Sequence, residues 1–441
     1  MSAHAAATVD RAQAPARPPR LELTGTGLLS AAMAVAGVLA YAFHILSART
    51  LTTDEYGQIA ALWAALFIAV VVLFRPLEQT TSRAVADRLT RGQEATTVLR
   101  SVAIVYGCLL VFVGITAVLA WGTLTNGLFD GTSFMTAMLV VGIAGYGFQY
   151  VVRGILGGMR RFRGLSGIHV ADGSVRLLVA LPLLAVASKE TAAAALAAAG
   201  LLGAILPLWR SRAEVAGLKL GAAGEHFHLR AALRFAVPAG VIAGADQLLV
   251  NGAPLLVIGA GGRDATKTAA VVFAATMLVR VPVFLFSGVA GSILPNLARL
   301  NAADDHRRFT STVTHVCFVF AGATVAIVAV AAALGPAAMQ LVYGPAYHAP
   351  ASDLALLGFG AGCYLASATI SQALLAMDRA SRGAVAWAIS AALFVCVVVF
   401  APGDDLRRVS LGIALAMAAS TLLLSLVFAR RTRGRAGPEA S

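Results

Sequence analysis

The chain has 441 residues, of which 59% are hydrophobic and 12% charged, about half the roughly 25% charge of a soluble domain, and its mean hydropathy is +0.81. Its 34 Lys and Arg against 21 Asp and Glu leave a formal net charge of +13. An apolar yet basic chain of this size excludes a soluble enzyme, a disordered protein and a disulfide scaffold; with no basic stripe interleaved with aromatics, nucleic acid is excluded as a partner.

Residues 1–20, rich in Ala, Pro and Arg, are expected to form a disordered cytoplasmic tail. A bilayer core needs about 20 apolar residues per helix, and apolar runs of that length predict twelve spans. They are 26–47, 58–80, 98–121, 134–157, 165–187, 191–208, 235–258, 269–291, 310–334, 352–376, 383–401 and 409–429. Only Ser188-Lys189-Glu190 separates the fifth span from the sixth. The longest polar connection falls between the sixth and seventh, which predicts an N-terminal six-helix lobe (21–209), a cytoplasmic linker (210–234), a C-terminal six-helix lobe (235–429) and a basic cytoplasmic tail (430–441). The fold class is all-α and polytopic, with two lobes around a central cavity.

Alternation of the twelve spans puts 24 of the 34 Lys and Arg on one side, six on the other and four, Arg75, Arg153, Arg176 and Arg280, within spans. Such a bias over short loops is the positive-inside pattern, so both termini are expected in the cytoplasm. The cysteines Cys108, Cys317, Cys363 and Cys396 lie in apolar runs and read as small buried hydrophobes. No phosphate-binding loop, Cys-x-x-Cys, His-Glu-x-x-His or Gly-x-Ser-x-Gly motif occurs, so the chain is read as neither an enzyme nor a cofactor or metal binder. His226 and His228 fall in the polar linker and read as solvated rather than as metal ligands.

Ionisable residues inside a bilayer usually face a cavity or a partner. In the fifth span His169, Asp172 and Arg176 recur at i, i+3 and i+7 on one helical face. In the seventh, Asp246, Gln247 and Asn251 form a polar patch, and Arg280 stands in the eighth. These residues either line a water-filled cavity in which Arg176 and Arg280 hold an anionic group, or neutralise one another as Asp172–Arg176 and Asp246–Arg280 pairs. Arg75 and Arg153, nearer the cytoplasmic end, either line an entrance or snorkel to lipid headgroups. Gly240-x-x-x-Gly244 and Gly358-x-x-x-Gly362 allow close helix packing, and Pro76, Pro182, Pro207, Pro238, Pro254 and Pro282 are candidate kinks.

Leu51-Thr52-Thr53-Asp54-Glu55-Tyr56-Gly57 resembles the Leu-x-x-x-Glu-Tyr-Gly turn of bacterial polysaccharide-biosynthesis membrane proteins, the oligosaccharide flippases. The segment Arg153-Gly154-Ile155-Leu156-Gly157-Gly158-Met159-Arg160-Arg161-Phe162 is similar to that family's Arg-Gly-x-Leu-x-Gly-x-x-Arg-Phe. Arg83, Pro238, Asp246, Leu294-Pro295 and Val342-Tyr343-Gly344-Pro345-Ala346-Tyr347 also fit, whereas Pro76-Leu77-Glu78 departs from the family's usual Leu-Gly-Leu. The resemblance implies the multidrug/oligosaccharidyl-lipid/polysaccharide exporter superfamily: two six-helix lobes with alternating access in a bacterial plasma membrane. It implies flipping of a polyprenyl-pyrophosphate-linked oligosaccharide; no strict motif carries Arg176 and Arg280 over, and it is their place as intramembrane charges that makes Arg176, Arg280, Arg75 and Arg153 the expected substrate-binding residues and Asp172, Asp246 and His169 the expected coupling or charge-pairing residues. A glycan polymerase or glycosyltransferases would be the partners. The alternatives are an ion- or proton-coupled multidrug exporter, against which counts the lack of a carboxylate in the first span, and a non-transporting scaffold for cell-wall assembly.

Overall fold

The computed structural model describes residues 20–218, 229–262, 264–281, 283, 306–377 and 380–435. The terminal tails at 1–19 and 436–441, the middle of the linker with His226 and His228, Pro282, and the second half of the eighth span with Leu294-Pro295 lie outside them.

Fourteen α-helices are described: α1 Arg20–Thr50, α2 Thr53–Thr90, α3 Thr96–Leu128, α4 Ser133–Gly158, α5 Phe162–Ala180, α6 Lys189–Arg210, α7 Arg212–Gly217, α8 Leu229–Asn251, α9 Ala253–Ala260, α10 Ala265–Val279, α11 His306–Tyr343, α12 Ala351–Ala376, α13 Ala380–Phe400 and α14 Asp405–Arg435. Among the described residues ten helices are long and apolar enough to cross a membrane, and the pair α8–α9 makes an eleventh broken span. The chain is an all-α polytopic membrane protein. The eighth predicted span is represented by the shorter apolar helix α10.

Several helices outrun the apolar runs that predicted them. α2 carries Pro76 inside it and continues through Arg83 and Arg88, because the stretch beyond the proline holds helix formers such as Ala84, Ala86 and Leu89 and meets no further breaker before Gly92, which takes φ 65°. Its start is fixed by a capping box: Glu55 N–H donates to Thr52 Oγ1 and Thr52 N–H to Glu55 Oε2. The fifth and sixth spans stay separate, since a 3-10 turn at Leu181–Leu184 ends α5 and Ser188 caps α6 by accepting from Thr191 N–H. The polar connection after α6 carries the short helix α7.

The arginine-rich end is drawn together by Ala95 N–H donating to Leu218 O at 2.8 Å and by the Arg161–Glu214 ion pair at 3.3 Å. At the far end lie the connections around residues 51, 131, 187, 262, 346 and 402. α4 packs on α2 and α6, and α5 on α1 and α6; in the second half α12 packs on α11 and α14, and α13 on α8 and α14. α2 joins the halves through α8, α9 and α10. Both small-residue motifs serve close packing: a Cβ on Gly240 would lie 3.3 Å from Pro76 and one on Gly244 3.2 Å from Val72, while Gly358 and Gly362 let α12 approach Ala331 and Thr324 of α11. None of the four cysteines forms a disulfide; contrary to the reading as buried hydrophobes, Cys108 and Cys396 are exposed on outward faces. An apolar run in a bilayer does not distinguish a core face from a lipid face.

Candidate functional site

The site begins with a break in a helix. Pro254 has no N–H to donate to Val250 O, and Gly252 precedes it, so the seventh span bends by 67° between Asn251 and Ala253. The bend leaves the last carbonyls of α8 without intrahelical donors. Arg280, at the C-terminal cap of α10, points its guanidinium at one of them, Leu249 O, at 3.4 Å. A cation at a helix C-terminus is favoured by the peptide dipoles.

Around this break lies a cavity of about 710 Å³ lined by α1, α2, α8, α10, α11, α12 and α14. Its polar groups are Arg75, Asp246, Gln247, Asn251, Arg280, Tyr364 and Gln372, together with hydroxyls; Met33, Trp63, Phe67, Met277, Phe320 and Met417 supply much of the rest. Asn251 Nδ2 donates to Gln247 Oε1 at 2.7 Å, and Gln247 Nε2 to Asp246 Oδ2 at 3.3 Å, so one strand of hydrogen bonds ends on the carboxylate. Arg75, Arg280 and the Tyr364 hydroxyl are the other neighbours of that carboxylate. No direct Asp246–Arg280 ion pair is formed among the described residues. Two arginines against one carboxylate leave the cavity cationic.

The remaining predicted residues lie elsewhere, inside the first half. Arg176 Nη2 donates to Asp172 Oδ2 at 2.6 Å and to the Tyr146 hydroxyl at 2.7 Å, and Tyr146 in turn donates to Asp172 Oδ1. Its side chain is 3% exposed and its guanidinium covers the face of Trp63 at 5.0 Å. Arg153 pairs with Glu78 at 3.1 Å and stacks on Tyr150, and His169 has Arg153 and Asp172 as charged neighbours. The structure therefore does not bring Arg176 and Arg280 onto one group. Arg280, Arg75 and Asp246 line the cavity, whereas Arg176, Asp172, His169 and Arg153 form a network behind its wall, with Trp63 between. Sequence reasoning missed Tyr364, Gln372, Trp63, Phe67 and Tyr146. The available signal was Tyr364 and Gln372, eight apart toward one face of a predominantly apolar helix. Among the described residues no three His, Cys, Asp or Glu gather as for a metal ion.

Beyond the cavity, the far ends of the halves are joined. Arg49 Nε donates to Val342 O at 2.9 Å and its Nη2 to Leu341 O, and Lys267 lies 3.7 Å from Asp54. Gly57 abuts the backbone of Thr266, where any Cβ would collide, and Tyr56 packs on Phe273 and Tyr347 with ring centroids 6.2 and 6.0 Å apart. The Leu51–Gly57 turn and the Val342–Tyr347 segment, both singled out in the sequence, thus meet at this seam.

No family model matches the chain. An uncharacterized protein of Mycobacterium tuberculosis is 27% identical over 414 residues, 92% of this chain and 86% of the relative. Among solved structures, the inward-facing form of a multidrug resistance MATE family transporter of the MOP superfamily aligns with TM-score 0.67 at 16% identity, over 95% of this chain and 96% of that one. A MOP superfamily transporter from Pyrococcus furiosus, described as having a binding pocket of reverse polarity that suggests a different function, aligns with TM-score 0.63 at 16% identity, over 94% and 96%. The fold is that of the MATE transporters.

Proposed function

We propose that the protein is a multi-pass transporter of a bacterial plasma membrane, with both termini in the cytoplasm. It carries an anionic, lipid-linked substrate, a polyprenyl-pyrophosphate oligosaccharide, from the inner to the outer leaflet by alternating access. One observation carries the reading: the cavity between the halves holds Arg75 and Arg280 against the single carboxylate of Asp246. Planar guanidinium groups match phosphate oxygens, and the two of them outnumber the one carboxylate of the lining. Asp246 would keep the arginines compensated when the site is empty. The two-lobe division at residues 210–234, and partnership with a glycan polymerase or glycosyltransferases, belong to the same proposal.

The test is flipping of a fluorescent polyprenyl-pyrophosphate glycan in vesicles by Arg280→Glu and Arg75→Glu variants. Each is expected to lose at least tenfold in initial rate. Unchanged flipping in both, at normal protein levels, overturns the reading.

The Met and aromatic lining favours a second reading, export of amphipathic drugs. Transport of organic cations that survives both charge reversals would establish it instead.

A further inference from the structure

A second cavity, about 950 Å³, opens at the arginine-rich end between α1, α5 and α6. Arg160, Arg161, Arg163 and Arg210 line it, all exposed, with Glu214 as its one carboxylate. Glu214 is engaged by Arg161, while Arg163 and Arg210 enter no ion pair among the described residues. The floor is made by the small residues Gly164, Gly167 and Ala171 of α5, and the sides by Leu28 of α1 and by Leu206 and Pro207 of α6.

The surroundings identify the occupant. Leu202, Ile205, Leu206 and Trp209, at i, i+3, i+4 and i+7 along α6, are 45 to 58% exposed, so this face of α6 is the lipid-facing one and runs directly into the groove. Leu28 on the α1 side is 44% exposed. Trp209, with Arg212 stacked 4.4 Å from its ring centroid, stands at the level where the amphipathic side chains of membrane proteins meet headgroups. The groove is therefore apolar where it faces acyl chains and cationic where it faces water. A soluble phosphate would use only the arginines. A lipid uses both parts.

We infer that this groove binds the phosphate headgroup of an anionic membrane phospholipid, with its chains along the exposed faces of α1 and α6. The site is separate from the central cavity. A single helix divides them, since Leu28 lines the groove and its neighbour Leu29 the cavity. The inference does not depend on what the central cavity carries.

Purified full-length protein is titrated with dioleoylphosphatidylglycerol and, separately, with dioleoylphosphatidylcholine, and bound lipid is resolved by native mass spectrometry. Binding of the anionic lipid is expected to be at least tenfold tighter, and the Arg163→Gln/Arg210→Gln variant is expected to lose that preference. Arg91→Gln/Arg100→Gln, which removes two exposed arginines of the same end outside the groove, is expected to keep it. If the double variant is not monodisperse, the single variants Arg163→Gln and Arg210→Gln decide, each with a several-fold loss. No preference in the native protein, equal loss in the control pair, or no loss in the groove variants overturns the site. Displacement of the lipid by 10 mM inorganic phosphate overturns its assignment to a lipid.

Discussion

Arg176 is held through Nη2 by two oxygens within 2.7 Å and by the face of Trp63 beneath its guanidinium, while its buried Nε has no hydrogen-bond partner among the described residues. A cation paired in this way inside a bilayer holds helices together, because separating it from Asp172 would leave both charges without solvent. Arg176→Met alone should therefore destabilise the protein by about 3 kcal/mol, the cost of breaking one half of a buried pair. Arg176→Met with Asp172→Leu should recover most of that loss and retain transport. Thermal melting in detergent of the two singles and the double closes the cycle, and a double variant as unstable as Arg176→Met alone would refute the pairing. The spacing of Asp172 and Arg176 made their pairing legible in the sequence. Tyr146 was not, since it comes from α4, and lateral packing of helices leaves no local trace. Arg280 was legible as an intramembrane charge, but its place at the end of α8 depends on a bend that hydropathy does not register.

At the scale of the helix, that bend is the decisive element. Pro254→Ala returns an N–H within reach of Val250 O and removes the ring's clash with the preceding turn. The expected outcome is a straighter seventh span, stability unchanged or raised by up to about 1 kcal/mol, and a transport rate reduced at least tenfold as Leu249 O, taken up by a donor within the helix, is lost to Arg280. A melting curve and a vesicle transport assay on the same preparation test both halves; full activity would show that the break has no role. The junction of α2 with α8 is equally exacting. A Cβ on Gly244 would already stand a tight 3.2 Å from Val72, so Gly244→Leu should cost about 1–3 kcal/mol by forcing the helices apart, read as a lowered melting temperature. The existence of the spans was readable because a bilayer demands about 20 apolar residues and the sequence supplies them. Their ends were not: α2 to Thr90 and α11 to Tyr343 outrun the apolar runs, because helix propensity continues where hydropathy stops.

At the scale of the whole molecule, the structure holds the central cavity shut at one end. Arg49 on the carbonyls of Leu341 and Val342, Asp54 beside Lys267, and Gly57 against Thr266 all close the far end. The central cavity instead reaches toward the arginine-rich end through Leu29, Met33 and Arg75. If transport requires the cavity to open at the far end, these contacts must part in every cycle. Their composition suits that duty. The Asp54–Lys267 pair is half exposed on both sides, and pairs of that kind contribute little, so they separate easily. Asp54→Cys with Lys267→Cys, in a background whose four native cysteines are replaced by Ala, places two thiols across the seam. A short bis-methanethiosulfonate crosslinker, which forms a disulfide with each cysteine and releases methanesulfinate, should then abolish transport, and reductant should restore it; either single cysteine treated alike should remain active. Transport that persists with the seam covalently closed would mean that the halves do not part there, and would remove alternating access about this seam as the mechanism.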